Sequence, residues 1–273
     1  MLCLQTQFRR GEFYPGTFQF AFELSSRLKK AVPENVAVLT ARAREFKFAL
    51  ALKPGDKICS AYRNIGRSNG YCNWGIALND VYYGSVVEWF FQNRKGARKL
   101  ANFEIMVQND MMRNNNCNYV IIVDTGEKDE EAGERIAQKF GPTKIRAVFL
   151  HCVSGSPDRS LLLLPKDRLM NGVPIFYFRT YVGAASKAFQ NRLISGDGLQ
   201  RVIEAATNEL IALENKADSS RMAPAASISS RRDELERDIF EARNLKKSGV
   251  FSSAFLTQTV TYIQPKFNGR ARQ

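Results

Sequence analysis

Short apolar runs alternate with amphipathic stretches over residues 1–190 of the sequence, and this pattern limits the folds that the chain can adopt. The clearest unit has apolar runs at 118–123 and 145–151, separated by a polar turn and a helical apolar period over 130–140. Strands and helices that alternate in this way form a parallel sheet covered by helices. We therefore predict an α/β fold with a three-layer, Rossmann-like parallel sheet.

The C-terminal part of the chain differs in composition from this first part. Residues 197–213 are strongly amphipathic with helical spacing, and residues 217–230 are small, polar and proline-containing, which is typical of a linker. Residues 231–273 begin with a charged helical pattern and end in a basic tail. We expect a first domain over 1–216, followed by this linker and a helical C-terminal extension.

The charge of the chain points to anionic partners. The 40 basic residues exceed the 27 acidic residues and leave a net charge of +13. Such an excess favours phosphate groups, acidic lipid surfaces or nucleic acid. Because the basic residues are dispersed and form no coherent stripe with aromatic side chains, nucleic acid is the least favoured of these partners.

Several kinds of site and location are disfavoured by what the sequence contains. The five cysteines form no CxxC pair and there is one histidine, so the usual ligands of a structural zinc site are lacking. The single histidine also leaves no Ser-His or Cys-His triad unless His151 itself serves, so hydrolytic chemistry would more naturally use carboxylates and a metal ion. No apolar run approaches the ~18 residues that span a bilayer, and no signal-peptide pattern marks the chain for export. We expect a cytoplasmic protein that is at most peripheral to membranes.

Polar residues follow several of the predicted strands. Thr40, Asp124 and His151 each come directly after, or at the end of, an apolar run. Since the carboxyl ends of parallel strands meet at one edge of the sheet, we expect these side chains to lie near one another. Asp124 and Asp129 would form a hard-oxygen site suited to Mg²⁺. In the alternative interpretation, Asp129 only caps its helix and Asp124 only closes a turn.

A basic cluster precedes the helix that leads to this strand. Lys95 and Lys99 belong to the segment Asn-Arg-Lys-Gly-Ala-Arg-Lys that ends at position 99. A lysine placed here would neutralise a transferring phosphoryl group. Basic side chains in the first turn of a helix do not favour the helix dipole, which argues against a purely structural role.

Taken together, these segments resemble the motifs of haloacid-dehalogenase-superfamily phosphatases. Residues 38–42 (VLTAR) resemble the second motif, a strand that ends in Thr or Ser, and Lys95 or Lys99 takes the place of the third motif's lysine. Residues 120–129 (VIIVDTGEKD), with the acidic helix after them, are similar to the fourth motif. The likeness extends to the lipin-like and actin-patch-associated phosphatidate phosphatases and covers about residues 12–190.

This resemblance implies roles for particular residues. Four side chains would bind the phosphoryl group: Thr40, Arg42, Lys95 and Lys99. Of these, Thr40 and Lys95 would act in catalysis, Lys95 by offsetting negative charge, with Lys99 able to take its place. Asp124 would bind Mg²⁺ directly, and Asp129 would support it directly or through water. Val123 departs from the glycine that commonly precedes the motif-four aspartate, which narrows the space near the metal.

The family's reaction also needs residues that the sequence does not provide. It uses an aspartate nucleophile and a second aspartate as acid and base, both following a central strand. The first aspartate here is Asp56, which lies beyond the second motif. We therefore expect the N-terminal central strand to be missing, with residues 2–6 filling its place only poorly. A truncated or mispredicted start explains this better than evolved loss, because loss would leave two buried sheet edges without partners.

The function expected from the resemblance is that of a Mg²⁺-dependent phosphohydrolase-type domain similar to phosphatidate phosphatases, inactive as recorded because the aspartate nucleophile is absent. Its partners would be a phosphorylated lipid or a small phosphomonoester, with peripheral contact to an anionic membrane. The alternative is a non-catalytic protein that binds anionic lipid or phosphate on the same scaffold.

Overall fold

The computed structural model of the protein describes residues 7–9, 12–26, 33–43, 51–84, 95–113, 117–125, 129–152, 164–219 and 226–248. These residues form an α/β fold in which parallel strands lie between helices. The predicted α/β class is confirmed, and the arrangement is compatible with a Rossmann-like fold.

The described residues contain eight strands and seven helices. The strands are β1 (Gln7–Arg9), β2 (Glu12–Phe13), β3 (Val36–Ala43), β4 (Ile76–Gly84), β5 (Tyr119–Asp124), β6 (Ile145–His151), β7 (Arg168–Met170) and β8 (Val173–Phe178). The helices are α1 (Thr17–Ser26), α2 (Lys57–Ser68), α3 (Lys95–Met112), α4 (Asp129–Lys144), α5 (Tyr181–Gln190), α6 (Gly196–Ser219) and α7 (Ala226–Ser248).

The larger sheet has four strands in the order β5-β6-β8-β7. The first three strands are parallel, and β7 pairs antiparallel with β8 at the edge. In the central strand β6, Ala147, Val148, Phe149 and Leu150 are completely buried. A continuous apolar strand of this kind is expected where helices cover both faces of a parallel sheet.

Neighbouring residues of this sheet belong to two separate apolar cores. Phe149 and Phe176 pack in a core with side chains from α1, α5, α6 and α7. Val148 and Ile175 pack in a second core with side chains from α3 and α4. Because successive side chains of a strand point to opposite faces, the sheet forms the middle of three layers.

A smaller sheet consists of β3 and β4, which pair in parallel. In the described residues these two strands form a sheet separate from the four-stranded one. Strand β3 does not end at Thr40 as its apolar run suggests. It continues to Ala43, whose Cα partner is Gly84 of β4, because the pairing with β4 outlasts the apolar run.

Helix α4 ends its regular part at a glycine–proline pair, as the sequence predicts. Gly141 has φ 60° and ψ −173°, a backbone conformation that breaks the helix. Glycine adopts positive φ without steric cost, and the following Pro142 has no N–H to continue the hydrogen-bond pattern. The chain then turns directly into β6.

The linker predicted at 217–230 is shorter than expected. Helix α6 continues to Ser219 and α7 already begins at Ala226, which leaves residues 220–225 outside the described part between them. The small residues at both borders misled the prediction, because alanine is also the best helix former. None of the helices in the described ranges combines the length and apolar character needed to cross a membrane.

Helix α7 packs on α5 and α6 and shares their apolar core through Leu235, Ile239 and Ala242. Polar contacts join its first half to the end of β8. Arg179 forms an ion pair with Glu234. The hydroxyl of Thr180 donates to the Asp238 carboxylate at 2.5 Å and accepts from the Gly183 backbone N–H at the start of α5.

The Asp238 carboxyl makes the docking of α7 depend on pH. Burial raises the pKa of this carboxyl, and the hydrogen bond from Thr180 offsets part of the increase. A raised pKa in the folded state gives stability that is present below the unfolded-state pKa and is lost as the pH rises through the folded-state pKa. Above about pH 4, ionised Asp238 therefore opposes docking.

Asp238→Asn keeps an acceptor for Thr180 but cannot ionise. We expect the stability of this variant, relative to the unaltered chain, to increase steadily as the pH is raised from about 4 to about 7. Thermal unfolding of both proteins across this range measures the difference. Glu236→Gln changes an exposed carboxylate of the same helix and is the matched control. A difference that does not change with pH would refute the assignment to Asp238.

Candidate functional site

The carboxyl ends of β5 and β6 bring two polar side chains side by side. Asp124 and His151 are Cα partners at the last paired position of the two strands. Only 3% of Asp124 and 2% of His151 is exposed. The backbone N–H of Thr125 donates to the His151 carbonyl at 2.9 Å and extends the pairing by one residue. Asp124 and His151 therefore lie together at one edge of the sheet, as the parallel arrangement of the strands predicts.

Next along the chain, α4 begins with a carboxylate in a buried ion pair. The Lys99 ammonium contacts Oδ1 of Asp129, the first residue of α4. Both side chains are more than nine-tenths buried. Withdrawing an ammonium and a carboxylate from water costs several kcal/mol for each ion, which mutual attraction and hydrogen bonds must offset. The charges of Lys99 and Asp129 are therefore coupled closely.

The helix period explains why Lys99 points at α4. Lys99 precedes Phe103 by four residues, so both lie on one face of α3. Phe103 is completely buried, and its ring packs edge-on against Phe140 of α4, with centroids 5.1 Å apart. The face of α3 that packs on α4 therefore also places the Lys99 ammonium at the beginning of α4.

Helix α4 also packs closely over the ends of the strands. A Cβ atom on Gly133 would lie 3.0 Å from Val148 of β6 and 3.6 Å from Val123 of β5. A larger residue at this point would therefore require the Val148 side chain to shift. This close packing holds the start of α4, with Asp129, near the strand that ends in Asp124.

His151 is held in place by aromatic rings and by the backbone. Its ring stacks on Phe178 at 4.8 Å with an interplanar angle of 7°, and the Tyr14 ring meets it edge-on at 4.4 Å. Its Nε2 atom lies 2.9 Å from the Arg179 carbonyl oxygen. Because a carbonyl only accepts, Nε2 carries the proton and donates. That nitrogen is therefore not placed to act as a base.

Of the other predicted phosphate-binding residues, one lies in the smaller sheet and two have side chains outside the described part. Thr40 is 7% exposed and lies within β3, with Tyr83 of β4 as its Cα partner. It therefore belongs to the smaller sheet, whereas Asp124 and His151 belong to the larger one. Arg42 in β3 and Lys95 at the start of α3 have side chains outside the described residues. Of the two candidate lysines, Lys99 is the one whose contact with a predicted metal-binding residue is described.

Asp124 and Asp129 suit Mg²⁺ in number and in type of ligand. Mg²⁺ is usually held by one or two carboxylates, with water and substrate phosphate oxygens as its other ligands. In the part of the chain that the structure describes, no group of three or more His, Cys, Asp or Glu side chains is arranged to hold a metal ion. Two carboxylates match a magnesium–phosphate site better than a metal enclosed entirely by protein ligands.

Comparisons of the chain with family models, with curated proteins and with solved structures gave no match. The functional interpretation therefore depends on the residues of the site. These are two buried carboxylates, Asp124 and Asp129, a buried ammonium from Lys99, and a histidine fixed by its neighbours, His151. Such a set can bind a divalent cation together with an anionic group at the edge where α/β sheets commonly bind ligands.

Proposed function

We propose that the protein is a Mg²⁺-dependent phosphohydrolase-type domain, similar to the phosphatidate phosphatases of the haloacid dehalogenase superfamily. The observation that carries the proposal is the buried Lys99–Asp129 ion pair, at the start of the helix that follows a parallel strand ending in buried Asp124. A purely structural role explains a buried ion pair poorly, since apolar residues in its place are often equally stable or more stable.

Each residue has a role in this proposal. Asp124 binds Mg²⁺ directly, and Asp129 supports it directly or through water. Bound Mg²⁺ supplies positive charge to the phosphoryl oxygens. Lys99 supplies a second positive charge from within the protein, where a low dielectric strengthens its attraction for a phosphate. Thr40, Arg42 and Lys95 are proposed as further phosphate contacts.

The proposal concerns binding first, because hydrolysis in this superfamily also needs an aspartate nucleophile. The first aspartate of the sequence, Asp56, precedes helix α2, and its carboxylate accepts from the Lys53 backbone N–H at 2.9 Å. It therefore closes a turn and does not follow a strand of the larger sheet. We propose that the chain binds Mg²⁺ and a phosphomonoester, and that hydrolysis would need an aspartate other than Asp56.

Substitution of Asp124 tests the metal site. We expect Asp124→Asn to weaken Mg²⁺ binding, measured by calorimetry with inorganic phosphate present, by about tenfold or more, which corresponds to ~1.4 kcal/mol. The amide has nearly the same size but lacks the negative charge that a divalent cation requires. Asp197→Asn, which neutralises an exposed carboxylate in the first turn of α6, is the matched control and should bind like the unaltered chain. Equal affinity in all three proteins would remove Asp124 from the site.

A second candidate function is non-catalytic binding of anionic lipid, which the net charge of +13 favours. Vesicles of phosphatidate mixed with neutral lipid, compared with neutral vesicles alone, separate the two candidates. Binding that is weakened by salt and is unaffected by Mg²⁺ or by Asp124→Asn supports a basic binding surface. Binding that requires Mg²⁺ and Asp124 supports the phosphohydrolase-type site.

A further inference from the structure

Four basic side chains are grouped on helix α2 and on the turn just before it. They are Lys53, Lys57, Arg63 and Arg67, and we call them the α2 basic face. Three of them are exposed and Arg63 is half-buried. Because residues four apart lie on the same side of a helix, Arg63 and Arg67 are neighbours on the surface.

The cations of the α2 basic face are not balanced by carboxylates. In the part of the chain that the structure describes, none of the four side chains forms an ion pair, and α2 itself contains no acidic residue. Asp56, just before the helix, accepts from the backbone N–H of Lys53 at 2.9 Å. On other helices, by contrast, the exposed cations Arg135, Lys139 and Arg232 each pair with a glutamate.

The stability of the helix does not explain this arrangement. Lys57 is the first residue of α2, where a positive charge opposes the helix dipole. Arg63 and Arg67 carry like charges at a four-residue spacing, which destabilises a helix. A partner that supplies negative charge therefore explains the α2 basic face better than a structural role does.

The buried side of α2 holds the basic face in a fixed position. Tyr62 is only 1% exposed, and its ring packs edge-on against Phe18 of α1, with centroids 4.8 Å apart. A Cβ atom on Gly66 would lie 2.7 Å from the Tyr71 carbonyl oxygen, so α2 packs closely on the turn that follows it. Charges on such a well-packed helix lose little conformational freedom when a partner binds.

Hydrogen bonds connect the start of the basic face to the candidate site. The backbone N–H of Leu52, next to Lys53, donates to the Tyr83 hydroxyl at 3.0 Å. The Tyr83 carbonyl accepts from the Asn102 side chain of α3 at 3.3 Å. Asn102 lies one helical turn after Lys99, whose ammonium contacts Asp129. A surface that binds the α2 basic face would therefore lie near the candidate site.

We propose that the α2 basic face binds the anionic surface of a lipid bilayer. The choice of a lipid rests on the proposed function, which is similar to that of phosphatidate phosphatases. Each cation close to an anionic bilayer strengthens binding by about fivefold. Apart from Lys57 and Arg67, the exposed residues of α2 are Asn64 and Ser68, so the helix offers no exposed aromatic ring on which a nucleic-acid base could stack.

Cosedimentation of the full chain with vesicles tests the proposal. The vesicles contain phosphatidylserine and phosphatidylcholine, and vesicles of phosphatidylcholine alone provide the reference. Phosphatidylserine is negatively charged but carries no phosphomonoester, so the candidate site does not contribute to binding. We expect the triple variant Lys53→Gln, Lys57→Gln and Arg67→Gln to bind about tenfold more weakly or less still, because three cations are removed from the contact.

A second triple variant provides the matched control. Arg135→Gln, Lys139→Gln and Arg232→Gln remove the same net charge from α4 and α7, and should weaken binding by no more than about threefold. Equal weakening by the two triple variants would overturn the proposal in favour of a general effect of net charge. Failure of the unaltered chain to bind the phosphatidylserine vesicles would overturn it as well.

Two further measurements concern the nature of the contact. The variant Lys53→Arg, Lys57→Arg and Arg67→Lys keeps every charge and should bind like the unaltered chain. Binding of the unaltered chain should weaken by about tenfold or more as salt is raised from about 0.05 M to about 0.3 M. Binding that does not respond to salt would contradict the proposal. Tighter binding to a single-stranded RNA, lost in the glutamine variant of α2, would overturn it in favour of nucleic acid.

The same proteins distinguish this proposal from the proposed function. The glutamine variant of α2 should bind Mg²⁺ in the presence of inorganic phosphate like the unaltered chain. Asp124→Asn should bind phosphatidylserine vesicles like the unaltered chain. Loss of metal binding in the α2 variant, or loss of vesicle binding in Asp124→Asn, would show that the two surfaces are not separate and would overturn the assignment to α2.

Discussion

Asp129→Ala should lower the free energy of unfolding by about 3–5 kcal/mol, because it leaves the Lys99 ammonium buried without its carboxylate. In the folded protein, 8% of the Lys99 side chain and 4% of the Asp129 side chain are exposed. Neither water nor another rotamer can readily replace the lost partner at such burial. Urea unfolding of the variant and of the unaltered chain, extrapolated to zero denaturant, measures the loss.

A second substitution separates the effect of the unbalanced Lys99 charge on stability from the effect of the lost side-chain volume. Adding Lys99→Met to Asp129→Ala removes the ammonium that has lost its carboxylate while keeping most of the apolar stem, so the double variant should recover at least half of the loss. The exposed pair of Lys139 and Glu104 joins the same two helices and provides the control. Lys139→Met should cost no more than about 1 kcal/mol. If Asp129→Ala costs as little as this control, the ion pair is not buried in solution.

Phe149→Ala should lower the free energy of unfolding by a similar amount, because it removes buried apolar contacts. Phe149 is completely buried at the centre of β6, and its ring lies 5.4 Å from the Phe20 ring and 5.1 Å from the Phe176 ring. Truncation of this side chain removes the stabilisation gained by burying the ring and leaves a cavity between α1 and the sheet. We expect a loss of about 3–5 kcal/mol, and a decrease of about 10 °C in the melting temperature.

Phe240→Ala is the matched control for this prediction. Phe240 lies on α7 and is 66% exposed. The same truncation there should change the free energy of unfolding by no more than about 0.5 kcal/mol. Equal effects of the two substitutions would show that Phe149 does not lie in the core of the sheet.

The sequence predicts the central part of the fold well where local and tertiary requirements agree. Strands β6 and β8 begin and end where their apolar runs do. A strand that is buried on both faces is apolar throughout, so its burial can be predicted from the sequence. Gly141 and Pro142 set the end of α4 because each residue restricts the backbone directly.

Elements whose limits depend on a distant partner were predicted less well. Strand β3 continues beyond Thr40 because its pairing with β4 does, and no local pattern contains that information. Helix α2 was not predicted because its buried positions are Cys59, Tyr62 and Gly66, which form no aliphatic stripe. The small residues near Ala226 suggested a linker because composition does not distinguish an alanine-containing loop from a helix.

Some features of the candidate site were likewise predicted from the sequence, and others were not. Asp124 and His151 were expected together because all parallel strands of one sheet end at one edge, and the structure pairs them. Thr40 was expected at that edge too, but it lies in the other sheet. The buried contact between Lys99 and Asp129 joins residues 30 positions apart on two helices. The four-residue spacing from Lys99 to Phe103 was the one signal that could have favoured Lys99 over Lys95.

Because α7 packs on α5 and α6, it determines how far the chain can be shortened at its C-terminal end and still fold. A fragment ending at 216 would expose the apolar positions on α5 and α6 that Leu235, Ile239 and Ala242 cover. It would also leave Arg179 without Glu234, on the residue whose carbonyl holds the His151 ring. Such a fragment should aggregate or bind a hydrophobic dye. We therefore expect the smallest unit that folds by itself to extend through α7, and the candidate site is best studied in a protein that retains this helix.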